Sequence, residues 1–231
     1  MANSKIIRPE PVVQPPVRII VPHLGSNLVF IYKDFGPDNY ANVGNAIEQA
    51  KLARPSLAET ASLLDRVYDN KDPNYKSPEF SYIRKRMKSN WIWAFTGTLW
   101  APEGAYIQDD PETREGMPFM DQSELVRKLE SKDPSVRFVP YGFKTGSMSS
   151  LELAKNPYII GLAGEEGADK LARVADTFQR KPYLYTLTNV TEPQTRVTAL
   201  NSGWGIVDLR LDVDGDVHGD GRYGYGLGVF K

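Results

Sequence analysis

Two periodicities divide this chain. Alternation of apolar and polar positions, the period of a half-buried strand, marks 17–21 (VRIIV) and 27–33 (NLVFIYK), with the turn chemistry of HLGSN between them. From residue 40 the apolar spacing becomes three and four. Tyr40, Val43, Ile47 and Ala50 line one predicted helix. Leu57, Ala61, Leu64 and Val67 line a second, opened by Ser56 and Glu59 at capping-box spacing. Phe80, Ile83 and Met87 line a third, over 78–89.

The strand period returns at 90–100 (NWIWAFTGTLW) and 104–108 (GAYIQ), joined as a hairpin by a Pro-Glu-Gly turn. Residues 109–120 have no period and are assigned to a loop. Asp121 and Glu124 open a short helix, and 136–143 is a strand that Pro140 confines to an edge or a bulge. Ser149 and Glu152 open another helix. Ala168, Leu171, Ala172, Ala175 and Phe178 give the clearest helical stripe of the chain. The tail is β in four runs, at 182–190, 195–200, 204–213 and 222–230.

Strands at both ends enclose helices instead of alternating with them. This argues against a doubly wound parallel sheet. It predicts an α+β fold: a largely antiparallel or mixed sheet packed with several short helices and ending in a C-terminal β-hairpin. No stretch has linker composition, so 17–231 is taken as one domain. Residues 1–16 carry prolines at 9, 11, 15 and 16 and few bulky side chains, the composition of an extended arm.

Composition narrows the chemistry. Hydrophobic residues make up 41% of the 231 positions, enough for a core, and a net charge of −1 creates no global field toward nucleic acid or anionic membrane. Cysteine is absent, which excludes disulfides, thiolate catalysis and cysteine-held zinc or iron–sulfur clusters. No apolar run reaches membrane-spanning length and no signal-peptide pattern opens the chain, so the expectation is a soluble, cytoplasmic protein.

The densest chemistry is LDVDGDVHGDG (211–221). It is not an EF-hand: counted from Asp216, position 12 is Leu227, and counted from Asp212, Val217 stands where glycine belongs. As a hairpin it is regular. Val207, Leu209, Leu211 and Val213 alternate with Asp208, Arg210, Asp212 and Asp214; after the turn Tyr223, Tyr225, Leu227 and Val229 alternate with Arg222, Gly224, Gly226 and Gly228. Three alternate glycines leave one strand face bare, so Gly224, Gly226 and Gly228 should meet something closely: the chain's own side chains in the favoured view, or a ligand or partner. If the two runs pair, that floor lies beside Asp208, Asp212 and Asp214, a carboxylate row suited to a divalent cation.

A second candidate is YIRKRMKSNWIW. The stripe of Phe80, Ile83 and Met87 leaves Arg84, Lys85 and Lys88 toward solvent, where they could contact phosphates while Trp91 or Trp93 stacks on bases. The near-zero net charge argues against nucleic acid, and the dipole of the helix C-terminus explains the cations as well. No P-loop, dinucleotide fingerprint or nucleophile elbow occurs, and no stretch carries a family signature. The motifs leave enzymatic activity open. The sequence therefore favours a binding or assembly protein with a protein partner or self-association. The alternatives are a metal-dependent hydrolase, perhaps phosphodiester-cleaving, built on the hairpin aspartates, and a nucleic-acid binder built on the basic helix. No organic cofactor is predicted; a divalent cation is the only one the aspartates invite.

Overall fold

A computed structural model describes residues 17–188, 190–203 and 209–231. The arm 1–16 and the 204–208 part of the predicted tail strand lie outside the described residues.

The chain opens with a hairpin, β1 (Val17–His23) and β2 (Ser26–Tyr32), followed by β3 (Phe35–Asp38). Leu24 and Gly25 both have positive φ, 46° and 75°, the conformation a two-residue hairpin turn demands. Three helices follow: α1 (Tyr40–Gln49), α2 (Leu57–Tyr68) and α3 (Pro78–Ser89). Each is capped by a side chain. Asn39 accepts from the Asn42 amide, Ser56 and Glu59 close the capping box, and Ser77 accepts from the Phe80 amide ahead of a proline at the first turn.

The long strand β4 (Trp91–Ala101) then turns into β5 (Gly104–Asp109). The expected loop after it contains a small hairpin, β6 (Glu112–Arg114) and β7 (Met117–Phe119), too short to register as a period. Next come α4 (Gln122–Glu130), β8 (Val136–Pro140), β9 (Gly146–Ser147), α5 (Ser150–Ala154) and α6 (Pro157–Ala175). α6 is two helices in line, broken at Gly164 (φ 70°, ψ 171°). Arg137 satisfies carbonyls at the break, donating from Nε to Gly161 O at 2.8 Å and from its guanidinium to Leu162 O. The tail supplies β10 (Tyr183–Tyr185), β11 (Gln194–Asn201), β12 (Asp212–Val217), β13 (Gly224–Gly226) and β14 (Val229–Phe230).

The fold is α+β, as the element order predicts. One sheet is mixed and large, in the order β3-β13-β4-β11-β12-β10-β9, with β5 on β4 and β8 on β5. The other is small, in the order β1-β2-β14, so the last strand closes onto the second. The main core lies between the large sheet and α2, α3 and α6, around Ile92, Trp100, Leu200, Val213 and Leu171. A second cluster, with Tyr40, Val43, Ile47, Trp93 and Phe95, packs α1 on the opposite face.

The C-terminal hairpin needs correction. β12 runs between β11 (antiparallel) and β10 (parallel), whereas β13 lies between β3 and β4. Two strands, β4 and β11, therefore separate the runs that looked like partners. Period two specifies which face of a strand is buried and says nothing about its neighbour. Leu211 and Val213 are buried with the main core, while Gly224 and Gly226 fit a slot beside β4 that no larger residue could enter.

Candidate functional site

Registers in the large sheet determine which tail residues share a face. Tyr183 lies beside Asp212 and Tyr185 beside Asp214 on one flank of β12, with Asn201 beside Asp212 on the other. Alternation puts Asp212 and Asp214 on this face and turns Val213 toward the helices, and a register shift in β12 between Asp214 and Val217 ends the alternation before Asp216. Gly215 confirms the direction, since a Cβ there would come within 2.9 Å of the Tyr158 ring, and its carbonyl accepts from Trp100 Nε1 at 3.1 Å.

Arg210 organises the exposed end of this face. Its Nε donates to Asp212 at 2.6 Å, its guanidinium donates to Tyr185 Oη at 2.9 Å, and it lies over the Tyr183 ring at 4.5 Å. The two tyrosine rings are themselves 4.3 Å apart. Asp212 is only 5% exposed, whereas Tyr185 and Leu209 reach solvent. Asp214 accepts from Asn201 Nδ2 at 2.7 Å. Burial, reinforced by the charges of Asp212 and Asp216, pushes the Asp214 carboxyl up to about 8. Burial also raises Asp216. This face thus presents a buried carboxyl that holds its proton to about pH 8, beside the Arg210-bound Asp212 and framed by tyrosines.

The remaining predicted residues are distributed as follows. Asp208 lies outside the described residues, and among the described ones no three His, Cys, Asp or Glu side chains gather as a metal-ligand set. Gly224, Gly226 and Gly228 are covered by the chain itself. A Cβ on Gly224 would collide with the Trp93 indole, one on Gly226 would stand 2.7 Å from Val43, and one on Gly228 2.5 Å from Leu52. The glycine face is therefore filled with no room for a ligand or partner, and it is not adjacent to the aspartates.

The basic patch is also largely structural. Arg84 donates to the Val67 and Tyr75 carbonyls at 2.6 and 2.7 Å, and Trp93 is fully buried with Nε1 on the Asp38 carbonyl. Trp91 is half-buried against Trp93 and Gly221. Only Lys85 and Lys88 of the predicted five are exposed. Sequence periodicity missed Arg86, which is paired with Asp34 at 2.7 Å and lies 3.8 Å over the Tyr225 ring.

A large cleft of about 1060 Å³ lies elsewhere, between the β1–β2 turn, α2 and α6. At its floor His23 Nδ1 is 2.9 Å from Ser62 Oγ, and the buried Lys170 ammonium donates to Ser62 Oγ (2.9 Å) and the Pro22 carbonyl (3.2 Å) while pairing with Glu166. Burial holds the His23 imidazole below its ordinary value. Nothing in the sequence pairs His23 with Lys170, because 147 positions separate a turn residue from a helix interior.

No family model and no curated protein matches this chain. Among solved structures, one described as "Accommodation of massive sequence variation in Nanoarchaeota by the C-type lectin fold" superposes with a TM-score of 0.56 at 16% identity, covering 86% of this chain and 97% of that one. The fold is C-type-lectin-like. The Asp212–Tyr185 face belongs to the large sheet, and the His23 cleft lies on the side where α2 and α6 pack. No helix among the described residues is long and apolar enough to cross a membrane.

Proposed function

We propose that the chain is a binding module that recognises a protein partner through the Tyr183, Tyr185, Arg210 and Asp212 face. The observation that carries this is the pinned tyrosine pair: Arg210 is fixed by Asp212, bonded to Tyr185 and stacked on Tyr183. Tyrosine and arginine are enriched in protein interfaces, and side chains already held in place lose less entropy on binding. The neighbouring acids favour a partner that presents Lys or Arg beside an aromatic or aliphatic contact. A C-type-lectin-like fold is often a binding module, and the comparison protein is described as accommodating massive sequence variation on it. Fold alone does not assign function, so the weight rests on the face.

A random twelve-residue peptide library displayed on phage, panned on the immobilised full chain, tests the proposal. Enriched peptides should be cationic and should lose binding to a Tyr183→Ala/Tyr185→Ala variant that melts at the wild-type temperature. Enrichment that is indifferent to both tyrosines refutes it.

A further inference from the structure

The small sheet has an open edge. β1 pairs with β2 on one side, and among the described residues no strand lies on its other side. The two-residue turn makes His23 and Ser26 the first pair to exchange main-chain hydrogen bonds. By alternation Val21, Ile19 and Val17 then bond to β2, while Arg18, Ile20 and Pro22 turn their main chain outward. Pro22 has no N–H, and its carbonyl is already taken by Lys170. Four outward groups remain, the N–H and C=O of Arg18 and of Ile20.

This edge forms a wall of two grooves. Ile20 and Pro22 line the large cleft, and Val17 through Ile20 line a second groove of about 230 Å³ whose opposite wall includes Ser77, Glu79 and Phe80. Ile20 and Arg66 belong to both, so the two run together along the strand. Much of the charge facing them is internally paired: Arg66 with Asp72 at 2.8 Å, Arg173 with Asp65 at 2.9 Å, and Lys170 with Glu166. Val17, Ile20 and Leu24 are 44%, 51% and 67% exposed along it.

We propose that this groove binds an extended peptide segment of a partner protein by strand addition to β1, a site separate from the tyrosine face. Alternating main-chain donors and acceptors are matched best by another main chain, and the groove walls admit a single strand more readily than a folded domain. The added strand runs antiparallel, bonds to Arg18 and Ile20, and stops at Pro22. Its preferred sequence is uncharged, with apolar residues at alternate positions beside Val17, Ile19 and Phe80. Pro22 closes the open stretch at one end and the Arg18 side chain lies within it, features that restrict which strands can pair there.

The same phage library, panned on the full chain, supplies the probes. Ile20→Pro removes one outward N–H without touching a β2 bond, and Ile20→Thr keeps it. Peptides of the predicted class should bind wild type and Ile20→Thr within a few-fold, bind Ile20→Pro at least tenfold more weakly at an unchanged melting temperature, and ignore the tyrosine double variant. In amide exchange, Arg18 and Ile20 should be unprotected in the free chain and protected by peptide. A library without Ile20-dependent peptides overturns the proposal. So does protection of both amides in the free chain. If that protection disappears on deleting residues 1–16, the chain's own arm occupies the edge; if it grows with concentration, a second copy does. Should Ile20→Pro melt early, the exchange measurement on wild type decides alone.

Discussion

Asp214 should make this protein less stable as the solution becomes more alkaline. In the unfolded chain its carboxyl ionises near 3.8, but in the fold burial beside Asp212 and Asp216 holds the proton to about pH 8. Between those values the unfolded state binds fewer protons than the folded one, so unfolding free energy falls with rising pH and levels off above the folded value. Every pH unit that separates the two ionisations corresponds to about 1.4 kcal/mol, which sets a ceiling of about 6 kcal/mol. Local relaxation and water entry reduce this to an expected loss on the order of 3 kcal/mol. For a domain of this size that corresponds to roughly 6–12 °C in melting temperature. Asp214→Asn keeps the shape and the contact with Asn201 but has no proton to lose. The assay is calorimetric melting of wild type and Asp214→Asn from pH 5 to 9 at constant salt. His23, whose lowered value acts in the opposite sense below its unfolded value of 6.5, is present in both proteins and cancels in their difference. The variant should already exceed wild type somewhat at pH 5, because unfolded Asp214 ionises near 3.8, and the difference should grow up to about pH 8 and then level off. A constant difference, or a variant less stable at pH 9, would falsify the assignment of a protonated Asp214.

Three further perturbations probe the scaffold. Gly226→Val, whose Cβ would meet Val43 at 2.7 Å and Ile47 at 3.1 Å, should lose about 1–3 kcal/mol in urea unfolding, and a neutral result would show the slot is not filled. Arg86→Ala removes the charged partner of Asp34, a side chain only 11% exposed that keeps its hydrogen bond from Tyr82, and the cover of Tyr225; a loss of about 1–3 kcal/mol is expected, and less than about 0.5 would make the pair ornamental. Ser56→Ala opens the capping box of α2 and should lower stability by about 1 kcal/mol, read from the urea midpoint at constant slope.

Local chemistry made much of this fold legible. Ser56 with Glu59 and Ser149 with Glu152 form the capping boxes that their spacing suggests, because a cap is settled within four residues. The β4–β5 hairpin follows from a short turn, and Pro140 marks β8 as a strand paired only with β5 among the described residues. What failed was adjacency across the chain. Gly224 pairs with Asp38 and Trp91, residues more than 130 positions away, and no periodicity encodes that choice. The same applies to Arg84: the helical stripe correctly left it off the core face, yet the Val67 and Tyr75 carbonyls from the preceding helix and loop engage it. Asp212 and Asp214 share a face, and the neighbours that define it are Tyr183, Tyr185 and Asn201 rather than the glycines.

The two faces of the large sheet are treated differently, and that difference bears on function. On the helix side Leu184, Leu200 and Val213 bury in succession across β10, β11 and β12. On the opposite side the apolar cover under α1 includes Val197 and Ala199, and one strand further the positions before the register shift are Asp212 and Asp214. Apolar residues of similar volume at these positions would be at least as stabilising, since a buried acid has to be desolvated. Folding therefore does not require two aspartates there. A polar network that costs stability, places an arginine between two tyrosines and leaves Tyr185 at the surface supports the proposed binding face. In the proposed binding role the tyrosines and acids form the contact face, and the packed side of the sheet is the support that holds them in register.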